Sequence, residues 1–238
     1  MSDFKRIVSL LKFSQRFKMM IITAGLFTLF GFGFEIFQNI IAPQAFYGDS
    51  IMTSNMSFPL GGLFIAIMPM YFAQMYLGLS LSGMVSSSGM AKKLFYDVPV
   101  ALYTCFMMVS YTVVVLLRVW MIHVNPEYTS IAKLGVVELG IICIILNLYT
   151  ALVFKYYIIS VILFIAGYLF FYFAMIGLYK IQFLTDIMIK VGDMSFLQAV
   201  GVGYLLVVVS LVVYIIVTRL IYNKPVSKKI FKAYTKKN

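Results

Sequence analysis

Three ionisable residues stand inside long apolar runs of this chain: Glu35, Arg118 and Glu138. A charge within a bilayer-spanning segment is expensive, and such residues mark ion or substrate pathways, proton relays or pairing between helices. Followed along their runs, all three fall toward the same end, within roughly 10 Å of that interface at about 1.5 Å of rise per residue. Two acids and one base so placed can form a paired cluster that gates an outward opening. The plainer alternative is that each side chain snorkels to the headgroups or pins helix packing. Gln38, Asn39, Gln74 and Asn147 are polar groups on or within the apolar runs. They suit hydrogen bonding between helices or the lining of a pathway. Catalytic signatures are missing: there is no H-E-x-x-H, no G-x-S-x-G and no G-x-x-x-x-G-K-[ST]. His123 is the only histidine, and Cys105 and Cys143 lie in apolar runs without metal-ligand spacing. No catalytic, cofactor-binding or metal residues are therefore expected in this chain.

The elements that must carry these residues follow from composition. Of 238 residues, 63% are hydrophobic and 11% charged, against about 25% charged in an ordinary soluble domain. Too little polar surface remains to cover a water-soluble core. Six runs reach the roughly 20 apolar residues that a helix needs to span a bilayer. They are Met19–Ile41, Phe58–Leu81, Pro99–Ile122, Leu134–Phe154, Ile158–Tyr179 and Phe196–Val217. Lipid offers the backbone no hydrogen-bond partner, so helices are the expected form. The fold expected is an all-α polytopic membrane protein: a surface helix over residues 1–18, a six-helix transmembrane domain over 19–217 and a basic tail over 218–238.

Lysine and arginine placement orients the chain. Fifteen of the nineteen basic residues fall in the N-terminal segment, the second-to-third connection, Lys155 and the tail. The opposite side holds only Lys133, Lys180 and Lys190, with Arg118 inside a run. Both termini are thus expected in the cytoplasm. The net charge of +11 then faces the anionic inner leaflet rather than nucleic acid. Lysine far outnumbers arginine, as in AT-rich bacterial genomes, so the expected location is a bacterial plasma membrane.

Between the runs, three segments have shape. Phe4, Ile7, Val8 and Leu11 recur with helical spacing beside Lys5, Arg6 and Lys12, which predicts an amphipathic helix lying on the cytoplasmic surface; a plain basic anchor is the alternative. In the second-to-third connection, Ser86–Ser88 can cap a helix whose apolar face is Met90, Leu94, Phe95 and Val98, with Lys92 and Lys93 beside it. Pro99 disfavours a helical Val98 and so predicts that this 86–98 cytoplasmic helix ends there. Such a face can dock in a partner's groove or rest on neighbouring helix ends. In the outer Lys180–Ser195 connection, Thr185 or Asp186 can cap a short helix over Ile187–Val191 that stops at Gly192, and Asp193 or Ser195 can cap the last run.

This layout resembles the permease subunits of type-2 ATP-binding-cassette (ABC) exporters. Asp3–Lys18 looks like that family's surface elbow helix. SGMVSSSGMAKKLFYDVPVALYTC (Ser82–Cys105) looks like the loop that carries a coupling helix and then a proline opening the third helix. The tight turn at Lys155–Tyr157 and the long outer loop before the sixth run are also similar. The family's acidic residue and glycine-threonine pattern is replaced here by Ser88-Gly89-Met90 and Lys92-Lys93. The resemblance implies a pathway between two such subunits, identical or homologous. It implies separate cytoplasmic ATPase subunits that hold ATP and Mg and dock on Met90, Lys92, Lys93, Leu94 and Phe95. Glu35, Arg118 and Glu138 would form an outer gate or packing cluster. An aromatic, apolar interior favours an amphipathic peptide, a lipid or a hydrophobic drug as substrate.

Rival readings remain at this point. The membrane coupling component of a vitamin-type importer should show a longer cytoplasmic helical region with arginine-bearing motifs. A non-transporting scaffold or assembly factor would tolerate a polar Met90–Phe95 face. An intramembrane enzyme would have to use Glu35, Glu138 and His123.

Overall fold

The computed structural model describes residues 17–47, 61, 62, 65, 67, 92–153, 155–176 and 182–224. Every element among them is helical. The amphipathic segment before residue 17, most of the second apolar run (Phe58–Leu81), Met90 and the tail beyond residue 224 lie outside the described residues.

Helix α1, Phe17–Ile36, continues through a wider π turn, Phe37–Ile41, and is followed by the one-turn α2, Pro43–Tyr47. Helix α3 begins as a π turn, Lys93–Asp97, and runs on as Val98–Val124. A short 3-10 turn, Pro126–Tyr128, leads into α4, Thr129–Leu152. Then come α5, Tyr157–Ile176, α6, Gln182–Asp193, and α7, Phe196–Ile221. Among the described residues, four stretches are long and apolar enough to cross a membrane: Ile21–Ile41, Val98–Val124, Pro126–Leu152 and Phe196–Ile221. The apolar Tyr157–Phe170 stretch of α5 is shorter.

Helix α4 is the centre of the bundle, packed on by α3, α5, α6 and α7. Its contact with α7 depends on two small residues. A Cβ on Gly140 would lie 3.2 Å from the Gly203 carbonyl, and a Cβ on Gly203 would collide with the Tyr111 hydroxyl. Where lipid gives helices no hydrophobic reason to associate, this close backbone approach supplies the packing energy. The core follows as Val100, Tyr103, Met107, Tyr111 and Val114 of α3 against Val136, Leu139, Ile142 and Leu146 of α4 and Val207 and Leu211 of α7. Outward, the helices present apolar side chains such as Leu29, Phe170, Leu197, Leu205 and Leu220. In water that surface would aggregate; it matches the hydrocarbon of a bilayer.

The two ends of the bundle differ in charge. At one end Lys155 Nζ donates to the Lys224 carbonyl (2.5 Å) and Tyr96 packs edge-on against Tyr222 at 5.7 Å. Exposed Lys92, Lys93, Arg219 and Lys224 belong to these same chain ends. Partial burial lowers the proton affinity of Lys155, because the charged form loses water. At the other end lie the exposed acids Glu127, Asp186 and Asp193.

Two expectations from the sequence are corrected. The helix entering α3 does not end at Pro99: Val98 is helical (φ −73°, ψ −47°), and Lys92 to Val124 is one continuous helix. Proline in a helix clashes with the carbonyl four residues earlier. The preceding turn is widened to π geometry, which relieves that clash, and Pro99 sits in the first α turn, where its missing N–H matters least. The helix in the connection before the last run is also longer than Ile187–Val191. It starts at Gln182, ahead of both predicted caps, and passes Gly192 to end at Asp193. Of the two caps considered for the last helix, Ser195 is the one used. Its hydroxyl accepts from the Gln198 N–H, and the Gln198 side chain accepts from the Ser195 N–H.

Candidate functional site

The π turn in α1 shapes the site. Widening the turn by one residue brings Gln38 and Asn39, neighbours in sequence, into the interior together with Glu35. Asn39 Nδ2 donates to the Glu35 carbonyl (2.8 Å), which holds the amide in place with its oxygen accepting from Arg118.

Arg118 fills the space so prepared. It projects from the C-terminal part of α3 and is 1% exposed, among the largest fully buried side chains. Nη2 lies 2.7 Å from Glu35 Oε1, and Nη1 donates to Asn39 Oδ1 at 2.6 Å. Nη1 also approaches the Met121 sulfur at 3.7 Å. The second Glu35 oxygen, Oε2, accepts from the Gly62 N–H at 2.8 Å. Both charges are thus paired and hydrogen-bonded, the condition under which a buried ion pair is tolerated. Asn125, just past the end of α3, closes that end of the site by donating to the Asn39 and Ile40 carbonyls at 3.3 Å each.

Two glycines make the room. A Cβ on Gly61 would come within 2.6 Å of the Glu35 backbone nitrogen and Oε2 and 2.7 Å of its Cβ. A Cβ on Gly135 would lie 3.1 Å from the Arg118 guanidinium carbon. Glu138 stands one turn along α4 from Gly135 and is 4% exposed. Neither of its carboxyl oxygens has a hydrogen-bond partner among the described residues.

Of the three charges predicted to cluster, the structure pairs Glu35 with Arg118 and places Glu138 beside them without a hydrogen bond. Gln38 and Asn39 belong to the site, whereas Gln74 lies outside the described residues. Asn147 serves a separate polar layer. Its Oδ1 accepts from Tyr103 at 2.7 Å and its Nδ2 donates to Ser210 at 2.6 Å, tying α3, α4 and α7 together. His123 is exposed at the end of α3, and Glu35 is held by Arg118 and Gly62. Cys143 is buried and Cys105 exposed, and no group of residues among those described could hold a metal ion.

Of the residues expected to dock a partner, Lys92 and Lys93 are exposed at the start of α3. Leu94 and Phe95 lie in the π turn that follows, and Met90 is outside the described residues. Sequence reasoning missed Gly61, Gly135, Asn125 and Lys133. Lys133 Nζ donates to the carbonyls of Gly192 (2.5 Å) and Met194 (2.9 Å), clamping the C-terminal end of α6 to α4. A cation at a helix C-terminus is a favourable pairing. The only signal for it was a lysine in the first turns of an otherwise apolar run.

No family model, curated protein or solved structure matches this chain.

Proposed function

We propose that this chain is the permease subunit of an ATP-driven ABC exporter in a bacterial plasma membrane. In this reading it has six transmembrane helices, an N-terminal elbow helix lying on the cytoplasmic surface and both termini in the cytoplasm. The described residues hold four of the stretches that such a topology needs. The second span and the elbow rest on the sequence pattern alone, and the fifth span rests on that pattern with a shorter apolar helical stretch, Tyr157–Phe170. The charge asymmetry of the bundle supports the orientation, since Lys92, Lys93, Lys155, Arg219 and Lys224 belong to the end read as cytoplasmic.

One observation carries the coupling part of the reading. Lys92 and Lys93 sit at the exposed end of an unbroken helix whose far part holds Arg118. From Lys93 to Arg118 the helix rises about 38 Å at 1.5 Å per residue. A push delivered at its basic end would reach the buried ion pair along one continuous helix. ATPase subunits on separate chains, with ATP and Mg, would deliver that push and bias the permease between inward- and outward-facing states. A second permease subunit would complete the pathway. The apolar, aromatic character of the chain favours an amphipathic peptide, a lipid or a hydrophobic drug as cargo.

Charge reversal at the docking end tests this. Lys92→Glu/Lys93→Glu lies on the exposed surface and should leave the helical bundle intact while releasing an ATPase subunit that purifies with the unaltered chain. Unchanged ATPase recovery and unchanged export by this variant would refute the docking assignment.

A further inference from the structure

The buried outer cluster holds two carboxyl groups, Glu35 and Glu138, and one guanidinium, Arg118. As fully ionised groups they would leave one uncompensated negative charge inside the membrane. Glu35 has the guanidinium and the Gly62 N–H. Glu138 has no donor on either oxygen among the described residues and is more than nine-tenths buried. A buried carboxyl group so placed is neutralised rather than left as a bare anion. We propose that Glu138 binds one proton, and that this proton and the Arg118 guanidinium are interchangeable between the two carboxyl groups.

The geometry supports the exchange. Gly135 and Glu138 are three residues apart on α4 and so share a face. The guanidinium carbon of Arg118 lies against the position that a Cβ on Gly135 would take. The guanidinium that pairs with Glu35 therefore lies against the face of α4 that also carries Glu138. Other titratable groups around this part of α4 are already committed or exposed. From α3, the Tyr111 hydroxyl donates to the Val136 carbonyl at 3.0 Å. From α7, Tyr204 donates to Thr112 at 2.8 Å. On α4 itself, Lys133 is held by the end of α6, while Lys190 and Asp193 of α6 are exposed. Glu35 of α1 is the competitor.

The exchange balances without any further reagent. In the state seen, Arg118 neutralises Glu35 and a proton neutralises Glu138. In the alternative, Arg118 moves to Glu138, whose proton passes to Glu35 directly or through water entering at the outer end. The total charge of the cluster is zero in both. This device goes beyond the exporter reading and does not require it, because its test needs no transport.

Infrared spectroscopy of the purified full chain in lipid nanodiscs reads the proton directly. At neutral pH the unaltered protein should show a carboxylic-acid C=O stretching band that shifts in heavy water and vanishes in Glu138→Gln. In Glu35→Gln the guanidinium has only one carboxylate left to pair with, so the band should vanish there too as Glu138 releases its proton. Glu35→Asp keeps the charge but shortens its reach; it should weaken the band, and it serves if Glu35→Gln fails to fold. Absence of the band in the unaltered protein, or its survival in Glu138→Gln, would overturn proton binding at Glu138. Full-strength survival in the Glu35 variants would overturn the exchange.

Discussion

Arg118→Met removes the cation from the buried cluster while keeping a long apolar side chain of similar reach. Three interactions go with it: the 2.7 Å contact to Glu35 Oε1, the 2.6 Å hydrogen bond to Asn39 Oδ1 and the approach to the Met121 sulfur. Glu35 would keep the Gly62 N–H as its donor. Breaking a buried pair from one side costs about 3–5 kcal/mol. Because the Gly62 N–H still donates to the carboxyl group, the lower part of that range, about 3 kcal/mol, is expected. That corresponds to roughly a hundredfold change in the folding equilibrium. Glu35→Gln/Arg118→Met should recover most of the loss, since the amide oxygen still accepts from Gly62 and no charge is left buried. The assay is reversible unfolding in mixed micelles with increasing denaturing detergent, followed by loss of helical circular dichroism, for both single variants and the double variant. The reasoning is refuted if Arg118→Met costs less than about 1 kcal/mol, the worth of an exposed pair. It is equally refuted if the double variant loses the sum of the two single losses, which would mean that the residues do not interact.

The glycines at the cluster should differ in tolerance. Gly61→Ala drives a methyl group into the Glu35 backbone and should lower the unfolding midpoint strongly, by an overpacking cost of about 1–3 kcal/mol or more. Gly135→Ala meets only the movable guanidinium and should cost clearly less in the same assay. Asn147→Leu deletes the links to Tyr103 and Ser210. At about 0.6–2 kcal/mol per interhelical hydrogen bond, it should destabilise the bundle measurably without touching the ion pair; an unchanged midpoint would count against that layer. Lys133→Met frees the Gly192 and Met194 carbonyls. Amide hydrogen exchange across Gln182–Asp193 should accelerate while the helices around Asn147 keep their protection.

Much of the bundle was legible because a bilayer imposes a simple length rule. The α-helical part of α3, Val98–Val124, and helix α7 begin within a residue of the predicted runs, and both extend past the predicted ends, while the π turn Lys93–Asp97 carries α3 further back than its run. Polar or basic residues such as Thr218 and Arg219 still fit a helix emerging from the apolar layer. Helix α4 starts at Thr129, ahead of Leu134, because Thr129, Ser130 and Lys133 form polar first turns that an apolarity criterion excludes. The three buried charges were legible as a set at one end, since each helix direction fixes depth. Which acid takes the base was not legible. That depends on the π turn at Phe37–Ile41, which rotates Asn39 inward, and on Gly61 and Gly135, whose missing side chains leave space for Glu35 and Arg118. Pro99 misled for a related reason: proline statistics describe α geometry, and a π turn before it removes the clash they reflect.

Coupling to a separate ATPase is tested by mild purification of the full chain from its native host. An ATPase subunit should be recovered at about one per copy of this chain, with recovery lost in Lys92→Glu/Lys93→Glu. Recovery of the unaltered chain alone, stable and monodisperse, would rule that coupling out.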